Sequence, residues 1–429
     1  MRRPRSTLFA VSALVAVAGL LIGPSAASSG PRGAAAADSL VIQTYRIDGI
    51  STREARTEVA RTGASIEFVG VTYVILRALP QEASAISRLG FTPVLLSPDD
   101  FPNYDADYHN YDETKAVLDA AVAAHPDIVQ EFSVGTSYEG RQIWAVKISD
   151  NVVSDEAEPE VLFDCLHHAR EHLTVEECLF IINMLTKGYG TNQKVTKMVN
   201  AREIFVVPMV NPDGEEYDLT DDTYQYWRKN RQPNPDAIGT DLNRNYGYKW
   251  GCCGGSSGFG GSDTYRGEAP FDAPEAAALG SFMDSRVIGG EQQISTGVSF
   301  HTYGQLVMWP YGYTFENVPP DMTQDDHNVF QTLGTQIAGT TCQGADCYTP
   351  QQMSDLYITD GTSVDYEYGR HRIFALTIEM YPVSDFIGFY PPDEDIKAQT
   401  RRLMNGVLMV MNAADCPYKL IGKQQQYCA

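Results

Sequence analysis

The chain has 429 residues with 43% hydrophobic content, enough for a large core and more than one folding unit. Its formal charge of −23 excludes sequence-independent binding of nucleic acid, which needs a basic surface to neutralise phosphates. No nucleic-acid partner is expected.

In chain order, Arg2, Arg3 and Arg5 precede an apolar run from Leu8 to Ile22 and small residues from Ser25 to Ala37. This is the pattern of a secretory signal peptide over residues 1–37. The run is shorter than the roughly 20 residues of a spanning helix, and no later segment is long and apolar enough to span. The expected product is therefore secreted and extracellular, with no membrane contact after signal removal. The paired arginines also suit the twin-arginine route, and the sequence leaves Sec and Tat export open. Eight cysteines in an exported chain favour disulfides over metal thiolates. Cys342 with Cys347 and Cys416 with Cys428 suggest short loops, although spacing does not fix pairing.

Residues 38–98 read as strand (Leu40–Ile47), helix (Thr52–Arg61), strand (Ser65–Val69), strand (Tyr73–Ala78), helix (Glu82–Arg88) and strand (Phe91–Leu96). One small βαββαβ unit between a signal peptide and a large domain is read as a removable propeptide; a permanent N-terminal domain is the alternative. After the breaker-rich Ser97–Tyr104, the helical Tyr111–Ala124 alternates with strand-like Ile128–Val134, Ile143–Ile148, Val161–Leu166 and Ile204–Val207. That alternation gives an α/β fold for residues 99–429. The long Asn211–Ala269 connection is where functional residues are expected.

The run Val161–Leu166 ends at His167-His168-Ala169-Arg170-Glu171-His172, and a helical pattern follows. His168 and Glu171 thus sit beyond the carboxyl end of a strand, where open α/β sheets place their sites. Neutral imidazole with a carboxylate suits Zn²⁺. A third ligand comes from His301, at the end of the apolar Gly297–Tyr303 strand. Taken alone, His301 would be a hydrogen-bonded core histidine, and HxxE alone is a weak signal. The same residues also fit the H-x-x-E-H pattern of an inverzincin-like endopeptidase, whose third ligand is a downstream glutamate; Tyr217–Gly267 contains none. Gly254-Gly255-Ser256-Ser257-Gly258 formally matches a nucleophile elbow but lacks the strand and helix that motif needs.

Zinc-assisted amide hydrolysis needs a base for the attacking water, a cation for the oxyanion and groups that hold the substrate. Glu379, a carboxylate ending an apolar strand, is the candidate base; a structural ion pair is the alternative. Arg228, Asn243 and Arg244 belong to basic loop clusters in an otherwise acidic chain. Such groups grip a carboxylate in bidentate fashion, as an enzyme reading a free C-terminus requires.

The ordered motifs His168-x-x-Glu171, Trp227-Arg228, Asp241-Leu242-Asn243-Arg244-Asn245, Phe300-His301-Thr302-Tyr303, Leu356-Tyr357 and Thr377-Ile378-Glu379 resemble the zinc metallocarboxypeptidases. These are the pancreatic carboxypeptidase A and B type, and most closely the secreted bacterial carboxypeptidase T branch. The resemblance spans Phe101–Pro417. It implies a mixed twisted sheet of about eight strands flanked by helices, preceded by an inhibitory propeptide. It also implies one Zn²⁺ on His168, Glu171 and His301, Glu379 as general base, and Arg228 for the oxyanion. Asn243 and Arg244 would hold the terminal carboxylate, Tyr357 would close over the bound residue, and Arg170 would assist at an adjoining subsite. The selectivity position of the A and B types falls at Val364, which implies a preference for aromatic or large aliphatic C-terminal residues; a broader preference including Lys and Arg is the alternative. In the carboxypeptidase T branch an aspartate that accepts basic side chains corresponds to Thr362, with Asp360 close by. The acidic Ser154–Glu160 stretch is a candidate Ca²⁺ site or a solvated loop. A catalytically dead binding module is disfavoured, because every ligand and base position is filled. A monomer is expected.

Overall fold

The computed structural model describes residues 41–96, 106–220, 223–383 and 387–428. The expected signal peptide, residue 40 and the junction at 97–105 lie outside the described residues.

The N-terminal unit is a four-stranded antiparallel sheet of order β2-β3-β1-β4, built from β1 (Gln43–Asp48), β2 (Ser65–Val69), β3 (Tyr73–Ala78) and β4 (Val94–Leu95). Two helices complete the βαββαβ order. The first, Arg53–Ala60, starts where the Thr52 hydroxyl accepts from Ala55 N. The second, Pro80–Arg88, begins earlier than the pattern indicated, because Pro80 opens it and Glu82 caps the Leu79 amide at 2.8 Å. The strand expected over Phe91–Leu96 shrinks to two residues, whose side chains are exposed. No buried face extends it.

The main sheet has eight strands in the order β13-β12-β14-β11-β7-β8-β6-β5. These are β5 (Val129–Thr136), β6 (Gln142–Ile148), β7 (Glu160–Cys165), β8 (Glu203–Val207), β11 (Ile294–Thr302), β12 (Leu306–Trp309), β13 (Thr349–Gln352) and β14 (Phe374–Met380). A small hairpin, β9 (Val287–Ile288) with β10 (Glu291–Gln292), stands apart. The central strands β14, β11, β7 and β8 run parallel, whereas β12, β6 and β5 pair antiparallel. Every residue of β7 is buried, as a strand covered on both faces requires.

One face packs under the helices Tyr111–Ala124, Leu173–Gly188, Gln324–Thr340 and Ile396–Ala413, with Phe163, Val298, Leu376, Leu185 and Val407 in that core. The other packs under Pro274–Ser285 and Ser363–His371 through Leu162, Ala375, Leu279 and Tyr366. The eight cysteines form four disulfides, among them the two expected short loops, Cys342–Cys347 and Cys416–Cys428. Cys165–Cys178 ties β7 to the following helix, so it staples both flanks of the loop from Leu166 to His172. Cys252 and Cys253 pair with each other. Among the described residues no helix is long and apolar enough to cross a membrane.

Candidate active site

Three neighbouring parallel strands end at one place. The His168–Glu171 loop leaves the end of β7, and His301 ends β11 directly opposite Glu379 on β14. Side chains 133 residues apart are thereby brought together: His168 Nδ1 and His301 Nδ1 lie 3.2 Å apart. Glu171 reaches both, with Oε1 2.7 Å from His168 Nδ1 and Oε2 2.9 Å from His301 Nδ1.

The donor set fits a divalent cation of the zinc type, with two nitrogens and one carboxylate converging on a point. Burial, then the charge of Arg228, pushes the His168 pKa below its usual value and that of His301 down to about 3. Both imidazoles are therefore neutral, as metal ligation requires. Their far nitrogens are held. His168 Nε2 donates to Asp241 Oδ1 at 3.2 Å, and His301 Nε2 lies 3.3 Å from Ser299 Oγ, which itself donates to Asp164. These outer partners orient the rings and leave each Nδ1 for the metal.

Asp241 also accepts from Arg228 Nε and Nη2 at 3.1 and 3.0 Å. Burial opposes both charges, yet Arg228 holds the Asp241 pKa well below the carboxylate range, and Asp241 in turn raises that of Arg228. The guanidinium is thus fixed with Nη1 3.4 Å from His168 Nδ1, beside the metal point. Glu379 lines the same cavity, with Oε2 buried and without a hydrogen-bond partner. Burial, followed by the nearby Glu171 charge, raises its pKa well above the usual range.

The cavity measures about 340 Å³ and is roofed by Ile66, Glu67 and Phe68 of the N-terminal unit. Asn243 and Arg244 lie at its wall, ordered by the short 3-10 turn Leu242–Arg244 that Asp241 caps. Tyr357 also lines it, and its hydroxyl donates to Ile66 O at 3.5 Å. Arg170 does not face an empty subsite. It is fully buried, ion-paired with Glu67, and its guanidinium stands 4.2 Å from the centre of the Phe389 ring.

One sequence expectation needs correction, and one disfavoured alternative falls away. Val364 is fully buried in the core and does not line the cavity; Thr362, two residues earlier, does, together with Met308 and Met353. The Ser363–His371 helix, capped by Thr362, turns Val364 inward against that core. The H-x-x-E-H alternative fails as well: His172 points away from the ligands and bonds Asp218 at 2.9 Å. Gly254–Gly258 is an irregular loop with neither strand nor helix beside it, as expected. In the acidic stretch, Asp155 and Glu160 pair with Arg286. Asp150, Glu156 and Glu158 form a partly exposed cluster that nothing further marks as a Ca²⁺ site. Sequence reading missed Asp241 as the link between the candidate ligand His168 and Arg228, and Glu67 as the partner of Arg170. The first was legible as the acid opening Asp241-Leu242-Asn243-Arg244; the second carried no local signal.

Residues 114–406 match the family model for zinc carboxypeptidase, so the chain belongs to the zinc carboxypeptidase family. It is 41% identical over 440 residues to a zinc carboxypeptidase of Saccharothrix mutabilis subsp. capreolus, covering 98% of this chain and 99% of that protein. To human mast cell carboxypeptidase A it is 29% identical over 307 residues, or 71% of this chain and 70% of that one. Its fold matches the crystal structure of carboxypeptidase A from Helicoverpa armigera, with a TM-score of 0.72 at 21% identity over 87% of this chain and 97% of that one.

Proposed function

We propose that the processed enzyme removes single residues from the free C-termini of peptides, with a preference for aromatic and large aliphatic residues. One observation supports this reading: His168, Glu171 and His301, which could hold a metal ion, share one cavity with Asn243, Arg244 and Glu379, whose Oε2 lacks a partner. His168, Glu171 and His301 hold Zn²⁺, which when bound polarises the scissile carbonyl and acidifies water. Glu379 takes the proton of the attacking water and passes it to the leaving amine. Arg228, locked by Asp241, donates to the developing oxyanion. Asn243 and Arg244 fix the terminal carboxylate, and Tyr357 closes over the bound residue. The test pairs free-acid with C-terminally amidated peptides: the free acid is expected to lose residues one at a time and the amide to resist. Cleavage of both at equal rates, or internal cleavage, contradicts the proposal.

The preference rests on Leu306, Met308 and Met353 in the cavity wall. Burying an ammonium or guanidinium against them costs more than burying an apolar side chain. Phe and Leu are expected to leave matched peptides at least about tenfold faster than Lys or Arg; the reverse order sinks the assignment. A second reading, acceptance of Lys and Arg, draws on Asp355, which lines the cavity and pairs at 2.6 Å with Arg53 of the N-terminal unit.

The N-terminal unit is read as an inhibitory propeptide. Arg56 donates to the carbonyls of Asp355 and Leu356, and Thr57 Oγ1 accepts from Ile358 N at 3.0 Å, which pins the segment carrying Tyr357. Glu67 occupies Arg170, and Phe68 stacks on Tyr303 with ring centres 6.1 Å apart. Losing one partner of a buried pair costs about 3–5 kcal/mol. Glu67→Ala in the unprocessed chain is therefore expected to raise residual activity on the order of a hundredfold, measured against wild type before any cleavage. Unchanged residual activity removes the inhibitory role of Glu67.

Export is supported by the N-terminal pattern and by the four disulfides.

A further inference from the structure

We infer that Asp360 is a positioning residue for the free C-terminus of the substrate, acting through the Cys252–Ser256 loop on Arg244; the inference rests on the reading of Arg244 as the carboxylate grip. Asp360 is fully buried, and donors around a buried carboxylate offset the cost of taking it out of water. Both of its oxygens serve one loop. Oδ2 accepts from Cys253 N at 2.9 Å and from Gly255 N at 3.0 Å, and Oδ1 accepts from the Ser256 hydroxyl.

That loop holds the guanidinium. Gly255 O accepts from Arg244 Nε at 3.1 Å, and Arg244 Nη1 donates to Asn243 O at 2.7 Å. A guanidinium has five N–H donors; these two contacts orient it and leave donors for a ligand carboxylate. The loop itself has little to stiffen it. It contains Gly254 and Gly255 and follows Gly251, with φ of +76° at Gly254 and +59° at Gly251, conformations for which glycine is suited. The disulfide between adjacent Cys252 and Cys253 and the three donors gathered on Asp360 constrain it, alongside a bond from Arg266 Nη1 to Ser256 O at 3.3 Å. A β-carbon at Gly255 would collide with the Thr359 backbone, so the loop lies flush against the Asp360 turn.

The same turn grips the other side of the pocket wall. Gly361 O accepts from Tyr246 N at 3.0 Å, and Ser363 N donates to Asn243 Oδ1 at 2.9 Å. Asn243 and Arg244 are thereby clamped between the two segments that Asp360 joins. With both oxygens committed to the loop, Asp360 is not placed to accept a basic substrate side chain.

The experiment compares wild type, Asp360→Asn, Ser256→Ala and Arg244→Ala as processed, zinc-loaded enzymes. For each, kcat and KM are measured on a peptide ending in Phe, together with competitive inhibition by L-phenylalanine and by its amide. Asp360→Asn sets an amide N–H₂ against donors that need an acceptor, and Ser256→Ala removes only one of the three bonds, so it folds more safely. Both are expected to raise KM, Asp360→Asn by about tenfold, with kcat within about twofold, and to shrink the preference for the free amino acid over its amide. A merely structural role would lower both affinities alike. An intact preference in both variants, while Arg244→Ala loses it, overturns the role of Asp360 alone. A preference untouched in all three overturns the carboxylate reading beneath it. Selective loss of Lys and Arg release in Asp360→Asn also overturns the inference, by making Asp360 a side-chain acceptor.

Discussion

Glu379→Gln is expected to lower kcat by on the order of 10²–10⁴-fold while the zinc content stays at that of wild type. The substitution keeps the shape of the side chain and removes its capacity to take a proton. Glu379 Oε2 is buried without a hydrogen-bond partner, at the end of β14 directly across from His301. Glu177, Glu215 and Glu367 are also buried without hydrogen-bond partners, but of these carboxylates only Glu379 lines the cavity that gathers His168, Glu171 and His301. Steady-state kinetics with metal analysis of the same sample decide the matter. Retained turnover removes Glu379 as the base, and loss of zinc together with turnover makes it a structural support of the metal site instead.

The second large effect is expected from His301→Ala. Losing an outer-shell partner of a ligand typically costs 10–100-fold in metal affinity, and removal of a ligand itself exceeds that. The variant should emerge with far less than one zinc per chain and without activity. Asp241→Asn offers the graded comparison: it loosens the tautomer of His168 and the hold on Arg228 together, since Asp241 bonds both. If His301→Ala binds zinc as wild type does, the ligand set is wrong.

The candidate metal and catalytic residues were legible in the sequence because each is tied to a local pattern. His168, His301 and Glu379 all end apolar runs, and the strand ends of a parallel sheet share one edge. The α/β alternation likewise announced β5 to β8, of which β6, β7 and β8 carry continuous buried runs. The strands β12 and β13 at one side of the sheet were not read, each being only four residues long. What remained hidden depended on long-range packing. Val364 carried the expected specificity role, but the capped turn at Thr362 rotates it into the core, and Met308 from β12 takes a place in the wall instead. Nothing local marks Glu67 as a partner for Arg170, because the two lie 103 residues apart and meet only when the N-terminal unit docks. Asp360 was noticed as a neighbour of Thr362, and only the folded loop reveals that Cys253, Gly255 and Ser256 consume its oxygens.

The central claim is geometric, and anomalous diffraction at the zinc edge from crystals of the processed enzyme tests it most directly. The expected result is a single strong peak about 2.0–2.2 Å from His168 Nδ1, His301 Nδ1 and a Glu171 oxygen. A peak at the acidic cluster of Asp150, Glu156 and Glu158 with none between the two histidines would contradict it.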